Sequence, residues 1–191
     1  MAENDFQNDQ TPVGGPAPEG SEAPQAGVLA QYIKDLSFEN PNAPASLQNQ
    51  TGQNPAIDVN VNVGVRQMNE EAYEVDLKIS AKATTPAAEE GGEATTAFVV
   101  ELSYGALFGI RNVPQEALRG FLLVQAPMLM FPFARRTIAD ASRDGGFPPL
   151  LLEPINFEAL YRAQLAQEAQ NANGEAAAPA NGEEPSPISL N

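Results

Sequence analysis

The sequence predicts an α+β protein: a four-stranded antiparallel sheet with a long interrupted helix and a C-terminal helix on one face. Three observations lead there. Four segments alternate apolar and polar residues with a period of two, so each strand has one buried and one wet face, as in an antiparallel sheet covered on one side. The strands come first along the chain and the helices after them, which is the order of α+β proteins rather than of βαβ units. Within Asn112–Phe157, finally, Phe121, Leu122, Leu123, Val124, Met128, Leu129, Met130, Phe131 and Phe133 leave a helix no polar stripe. Such a helix must be covered all round. One sheet covers one side, so a partner chain is the expected cover for the other.

The first strand is read at Gln31–Glu39, with Tyr32, Leu36 and Phe38 on one face and Asp35, Ser37 and Glu39 on the other. A long connection, Asn40–Pro55, follows; connections of this length without regular structure are often functional. Ile57–Arg66 alternates without exception, Ile57, Val59, Val61, Val63 and Val65 against Asp58, Asn60, Asn62, Gly64 and Arg66. Tyr73–Lys82 repeats the pattern, and the two form a hairpin. Thr84–Thr95, with Pro86, Gly91, Gly92 and three glutamates, is a solvated loop. The fourth strand, Thr96–Tyr104, turns Phe98, Val100, Leu102 and Tyr104 inward and Val99, Glu101 and Ser103 outward.

Asn112 is the expected cap of the long helix, with Gln115 completing a capping box and Pro114 tolerated in the first turn. Pro127 and Pro132 predict a break or kink, since an interior proline costs about 3 kcal/mol. Gly145 and Gly146 end the helix. After the extended FPPLLLEP, Asn156 caps a last helix in which Phe157, Leu160, Tyr161 and Leu165 share a face.

Of 191 residues, those at 1–26 carry five acids and no base, and those at 167–191 four acids and no base. Neither segment has the apolar surface to offset the entropy of ordering, so residues 1–27 and 167–191 are expected to be disordered acidic tails around a folded part at 28–166. The net charge is −15. That sign repels nucleic acid and anionic lipid and attracts basic partners. The N-terminus has neither the basic nor the apolar region of a signal peptide, and the apolar run 120–134, interrupted by Gln125, Pro127 and Pro132, is expected to be too short for a bilayer span. A cytoplasmic protein is expected.

The chain has no His and no Cys, which excludes His-based triads, thiolate nucleophiles and the usual zinc sites. Its glycines fit neither GxxxxGK[ST] nor GxGxxG. Clustered acids such as Glu70 and Glu71 read as solvated surface. No catalytic residue, metal or cofactor is expected, and the protein is not read as an enzyme.

Three segments in order, YIKDLSFENPNAP at Tyr32–Pro44, TAFVVELSYGALFGI at Thr96–Ile110 and FPFARRTIADASRDGGFPPLLLEPINFEALY at Phe131–Tyr161, resemble the SecB family of protein-export chaperones. The resemblance spans roughly residues 28–166. It implies an ATP-independent chaperone, a homotetramer built as a dimer of dimers, that binds unfolded precursor proteins and hands them to the SecA ATPase. It also implies three surfaces. Contacts between dimers would involve Phe121, Leu122, Val124, Met128 and Leu129 of the long helix. A client groove between the long connection and the last helix would involve Phe38, Leu47, Phe157, Leu160 and Tyr161. SecA would meet the acidic outward face of the sheet at Asp35, Glu39, Val99 and Glu101. The loop 84–95 and both tails look longer than is usual in the family, and Gln48–Pro55 lacks the aromatic many members carry there. Two other readings stay open: a small-ligand-binding α+β domain that uses the groove as a pocket, or a dedicated toxin–antitoxin chaperone of the same fold.

Overall fold

The computed structural model describes residues 23–48, 55–87, 93–175 and 189–190. Four long strands, β1 (Gln25–Glu39), β2 (Ala56–Gln67), β3 (Ala72–Thr85) and β4 (Thr95–Arg111), form an antiparallel sheet in the order β1-β4-β3-β2. A short α1 (Ala45–Gln48) lies in the connection after β1, and the helices α2 (Gln115–Gly120), α3 (Ala126–Asp144) and α4 (Phe157–Glu175) follow the sheet. A two-residue strand, β5 (Ser189–Leu190), pairs with β2 at the far edge. The parts of both tails at 1–22 and 176–188, and the loop residues 49–54 and 88–92, lie outside the described residues.

The β2–β3 hairpin follows the alternation of the sequence: Val59 opposes Ala81, Val61 opposes Ile79 and Val63 opposes Leu77. Val75, Leu77, Ile79, Val100, Leu102 and Phe108 are buried under the helices. β1 and β4 are longer than the expected Gln31–Glu39 and Thr96–Tyr104, because their outer ends pair with each other from Gln25↔Arg111 onward. Two glycines had obscured that extension of β4. At Gly105 a β-carbon would sit 2.6 Å from Cε2 of Tyr32, and at Gly109 one would touch Leu29 at 3.3 Å, so both keep room for side chains of β1.

The long helix is not broken at its prolines. Residues Gln115–Asp144 run on as one helical stretch, and the five residues Phe121–Gln125 form a π turn between α2 and α3, closed by the Ala126 N–H on the Phe121 carbonyl. The wider spacing is set just before Pro127, so the residue without an N–H enters where the ladder has already been re-spaced. Pro132 lies on the exposed side of α3, and the carbonyl it cannot bond belongs to Met128, itself an exposed residue. The expected cap is also displaced. Asn112 is left-handed (φ 54), and α2 starts three residues later behind Pro114.

The run 120–134 lies within this 30-residue stretch, which by length and composition alone is apolar enough to cross a membrane. Its inner side is nevertheless packed on the sheet through Leu118, Leu122, Met130 and Ile138. The last helix extends past residue 166. Ala, Gln and Glu dominate Ala166–Glu175 and favour helix, and Glu168 takes a two-pronged ion pair from Arg119 of α2 at 2.8 and 2.9 Å. Asn156 caps it as expected, its side-chain oxygen accepting the Ala159 N–H at 2.9 Å.

Candidate partner and client surfaces

Residues opposite one another in an antiparallel ladder share a face. Across β2, β3, β4 and β1 the outer face therefore reads in rows: Asp58–Lys82–Val99–Glu39, then Asn60–Ser80–Glu101–Ser37, then Asn62–Lys78–Ser103–Asp35. Asp35, Glu39, Val99 and Glu101 thus lie together on the outer side of β1 and β4. The face is not uniformly acidic, because Lys78 and Lys82 of β3 stand exposed beside them. Among the described residues none of these six charges, Asp58 included and counted with Asp35, Glu39 and Glu101, forms a hydrogen bond or ion pair.

The next two rows are closed. A bulge between Ile33 and Asp35 inserts Lys34 into β1, so Tyr32 lies opposite Gly105 on the outer face and not with Leu36 and Phe38, as strict alternation had placed it. Its ring crosses the bare Gly105, and its hydroxyl donates to Glu74 of β3 at 2.6 Å. Arg66 of β2 donates to the other Glu74 oxygen at 2.8 Å, and the Lys34 ammonium lies 3.4 Å from Glu74 and 3.1 Å from Asp76. Ser103 donates to Asp76 at 2.7 Å. Glu74 is only 6% exposed. The Tyr32 hydrogen bond, helped by Lys34 and Arg66 and opposed by burial, holds its carboxyl below the ordinary glutamate range. The same bond pushes the Tyr32 phenol up, and the hydrogen bond to Asp76 pushes Lys34 up.

The residues expected to line a client groove divide. Phe38 stacks on Phe98 (5.4 Å between centroids), and Phe147 packs on Phe98 at 4.8 Å. Leu47 of α1 lies against the αL residue Gly146, so these four apolar side chains gather where α3 ends. Leu160 lies elsewhere, in a cavity of ≈ 540 Å³ between β2 and the segment 150–156, with Ile57, Val59, Val61, Leu151 and Ile155. Tyr161 stands under the Arg119 guanidinium, 5.9 Å from the ring centroid. Phe157 is a correction. It is 2% exposed and edge-on to Phe131 of α3 at the first turn of α4, so it belongs to the protomer core.

What sequence reasoning missed is the connection itself. Leu150, Leu151 and Ile155 form an apolar trail between the aromatic cluster and the cavity, over the buried Phe147 and Leu152 and anchored by the buried Ser142, whose hydroxyl donates to Ala139 and accepts the Leu150 N–H at 2.8 Å. The signal was present in FPPLLLEP, a run too apolar for an ordinary surface loop.

The helix residues also divide. Met128 and Leu129 are 56% and 51% exposed and continue into the exposed Pro132 and Phe133, an apolar stripe with no cover in the protomer. Phe121 and Val124 are half-buried against the core, and Leu122, 4% exposed, points into the sheet and is core rather than interface.

The protomer thus combines a one-sided antiparallel sheet, apolar side chains of the segment 150–155 partly open to solvent on the helix side, and a separate charged face on the other side. The family model described as preprotein translocase subunit SecB matches residues 19–168. The chain belongs to the SecB family, whose members are protein-export chaperones and not enzymes. A protein-export protein SecB of Rhodopseudomonas palustris (strain BisB5) is 52% identical over 156 residues, covering 82% of this chain and 94% of the relative. One from Rhizorhabdus wittichii is 56% identical over 145 residues, covering 76% and 82%. Among solved structures, the Mycobacterium tuberculosis Rv1957 SecB-like chaperone in complex with a ChAD peptide from the Rv1956 HigA1 antitoxin superposes with a TM-score of 0.51 at 16% identity, over 68% of this chain and 90% of that one, a likeness of fold.

Proposed function

We propose that this protein is an ATP-independent cytoplasmic holdase that binds unfolded precursor proteins along its apolar trail and delivers them to SecA through the open rows of its outer face. The observation that carries this reading is the separation of the two surfaces. The trail 150–155 and the cavity at Leu160 lie on the helix side of the sheet, whereas Asp35, Glu39, Val99 and Glu101 lie on the other, so client and motor are bound at once without competing for area. An apolar trail without a closed shape accepts many unfolded sequences. Repetition over several subunits raises its hold on one long chain through effective concentration.

A homotetramer, a dimer of dimers, needs two distinct sticky surfaces, and the protomer offers two. One is the stripe Met128–Leu129–Phe133 on α3; the other is the bare edge of β1, where Val28, Leu29 and Ile33 are exposed. The test of the client reading is Leu151→Asp. Leu151 is 64% exposed, so a charge there spares the fold while interrupting the trail. Capture of a reduced, unfolded precursor without ATP should weaken several-fold while the melting temperature holds; unchanged capture by a folded variant would refute the trail as the client site.

A further inference from the structure

β2 is the second edge of the sheet. Its inner side pairs along its length with β3, while its outer side is met by the chain's own C-terminus, Leu190 opposite Val59 and Ser189 opposite Asn60. An edge strand presents unpaired N–H and C=O groups that template a further strand. The place where β5 docks adjoins the apolar cavity, for Val59 and its neighbours Ile57 and Val61 line that cavity with Leu151 and Leu160. The C-terminal sequence suits this role. Within residues 176–191 the only large aliphatic side chains are Ile188 and Leu190, spaced by two as a strand requires. Pro185 and Pro187 just before them have no backbone N–H to donate to a ladder.

We propose that Ser189–Leu190 is a resident competitor on the β2 edge, which an extended apolar polypeptide entering the adjoining cavity must displace. The inference rests on the polypeptide-binding reading above and adds its regulation. A tethered segment has an effective concentration on the order of millimolar, so a two-residue pairing is populated although it would be too weak as a free peptide. A client that enters the cavity displaces it, whereas a short polar segment does not. The strand therefore sets a threshold for binding, and its removal should tighten client binding by about two- to ten-fold.

The experiment uses the full chain, Leu190→Asp and the conservative Leu190→Ile, with reduced, carboxymethylated α-lactalbumin as the unfolded probe. Hydrogen exchange of the amides at 56–61 reports whether the strand sits on β2, and a fluorescence titration reports probe affinity. Leu190→Asp should speed that exchange and tighten the probe two- to ten-fold, Leu190→Ile should do neither, and a free peptide of residues 185–191 in excess should weaken probe binding to Leu190→Asp. Unchanged exchange in Leu190→Asp would show that the strand does not occupy the edge. Faster exchange with unchanged affinity would show that strand and client do not compete. If no version binds the probe at all, the polypeptide-binding reading itself falls and the competition with it, an outcome set apart from the others by its presence in the wild type.

Discussion

The outer face of the sheet uses the same residue types to opposite ends in its two halves. Around Glu74 and Asp76 every charge is closed: Tyr32, Lys34, Arg66 and Ser103 take up the carboxylate oxygens, and the central carboxylate is nearly removed from water. In the rows further along, Asp35, Glu39 and Glu101 stand open beside Lys78 and Lys82, all five without a side-chain partner among the described residues. A buried charge has repaid its desolvation only through its partners, so the closed half belongs to the fold. Open charges contribute little to stability and keep their full attraction for a partner. The comparison gives the closed half a role in stability and leaves the open half free for the recognition we propose for it.

The largest expected effect comes from opening the closed half. Glu74→Ala leaves the Tyr32 hydroxyl, Lys34 and Arg66 without their common acceptor, and should cost about 2 to 3 kcal/mol in urea unfolding. Glu101→Ala, on the open half, should change stability by less than about 0.5 kcal/mol. Equal costs for the two would dissolve the distinction. A somewhat smaller loss is expected from Gly105→Val. Its β-carbon would stand 2.6 Å from the Tyr32 ring, which must lift off the sheet, and overpacking of this kind costs about 1 to 3 kcal/mol. The loss should shrink in a Tyr32→Ala background, where nothing remains to be displaced.

Protonation opens the closed half more gently. The folded-state pKa of Glu74 lies below its unfolded value, so its contribution is fully present above the unfolded glutamate pKa of about 4.3 and is lost as pH falls through the folded value. Glu74→Gln should therefore flatten the acid limb of the stability profile below pH of about 4.3. At the alkaline end Tyr32, whose pKa is raised, contributes stability that is lost as pH rises through its folded value. Tyr32→Phe should remove that limb and leave the acid limb shallower. Thermal denaturation across pH checks both, and an acid limb unaltered in Glu74→Gln would show that the network does not couple to folding.

The two halves were not equally legible in the sequence. The outward placement of Asp35, Glu39, Val99 and Glu101 follows from alternation within short stretches of β1 and β4 that are free of irregularity. The closed half was hidden because alternation counted backward from Phe38 crosses the inserted Lys34, and a period of two cannot register an extra residue; Tyr32 was accordingly placed on the wrong face. The same kind of local event hid the π turn, since a proline signals a disturbed ladder without saying whether the chain breaks or re-spaces. Phe157 and Leu122 were misplaced for another reason. Apolar residues on a helix look alike whether they face the sheet, a client or a second subunit, and only the docked positions of α3 and α4 tell them apart.

The smallest effect on stability should accompany the largest effect on recognition. Changing Asp35, Glu39 and Glu101 together to Lys replaces three open carboxylates, each within about 0.5 kcal/mol of neutral for folding. It also reverses the field that a basic partner meets on approach, an attraction that acts over a Debye length of about 8 Å at physiological salt. Calorimetry should therefore show SecA binding lost in the triple variant and, in the wild type, weakened at high salt. Val99 sits between Lys82 and Glu39 in its row, so Val99→Ala should weaken SecA by a modest factor that salt does not change, as expected of an apolar anchor within a charged contact. Unfolded precursor should bind wild type and both variants alike, because the trail lies on the other side of the sheet. If precursor and SecA are lost together, or SecA binds the triple variant as tightly as the wild type, the open half of the face is not where the motor docks.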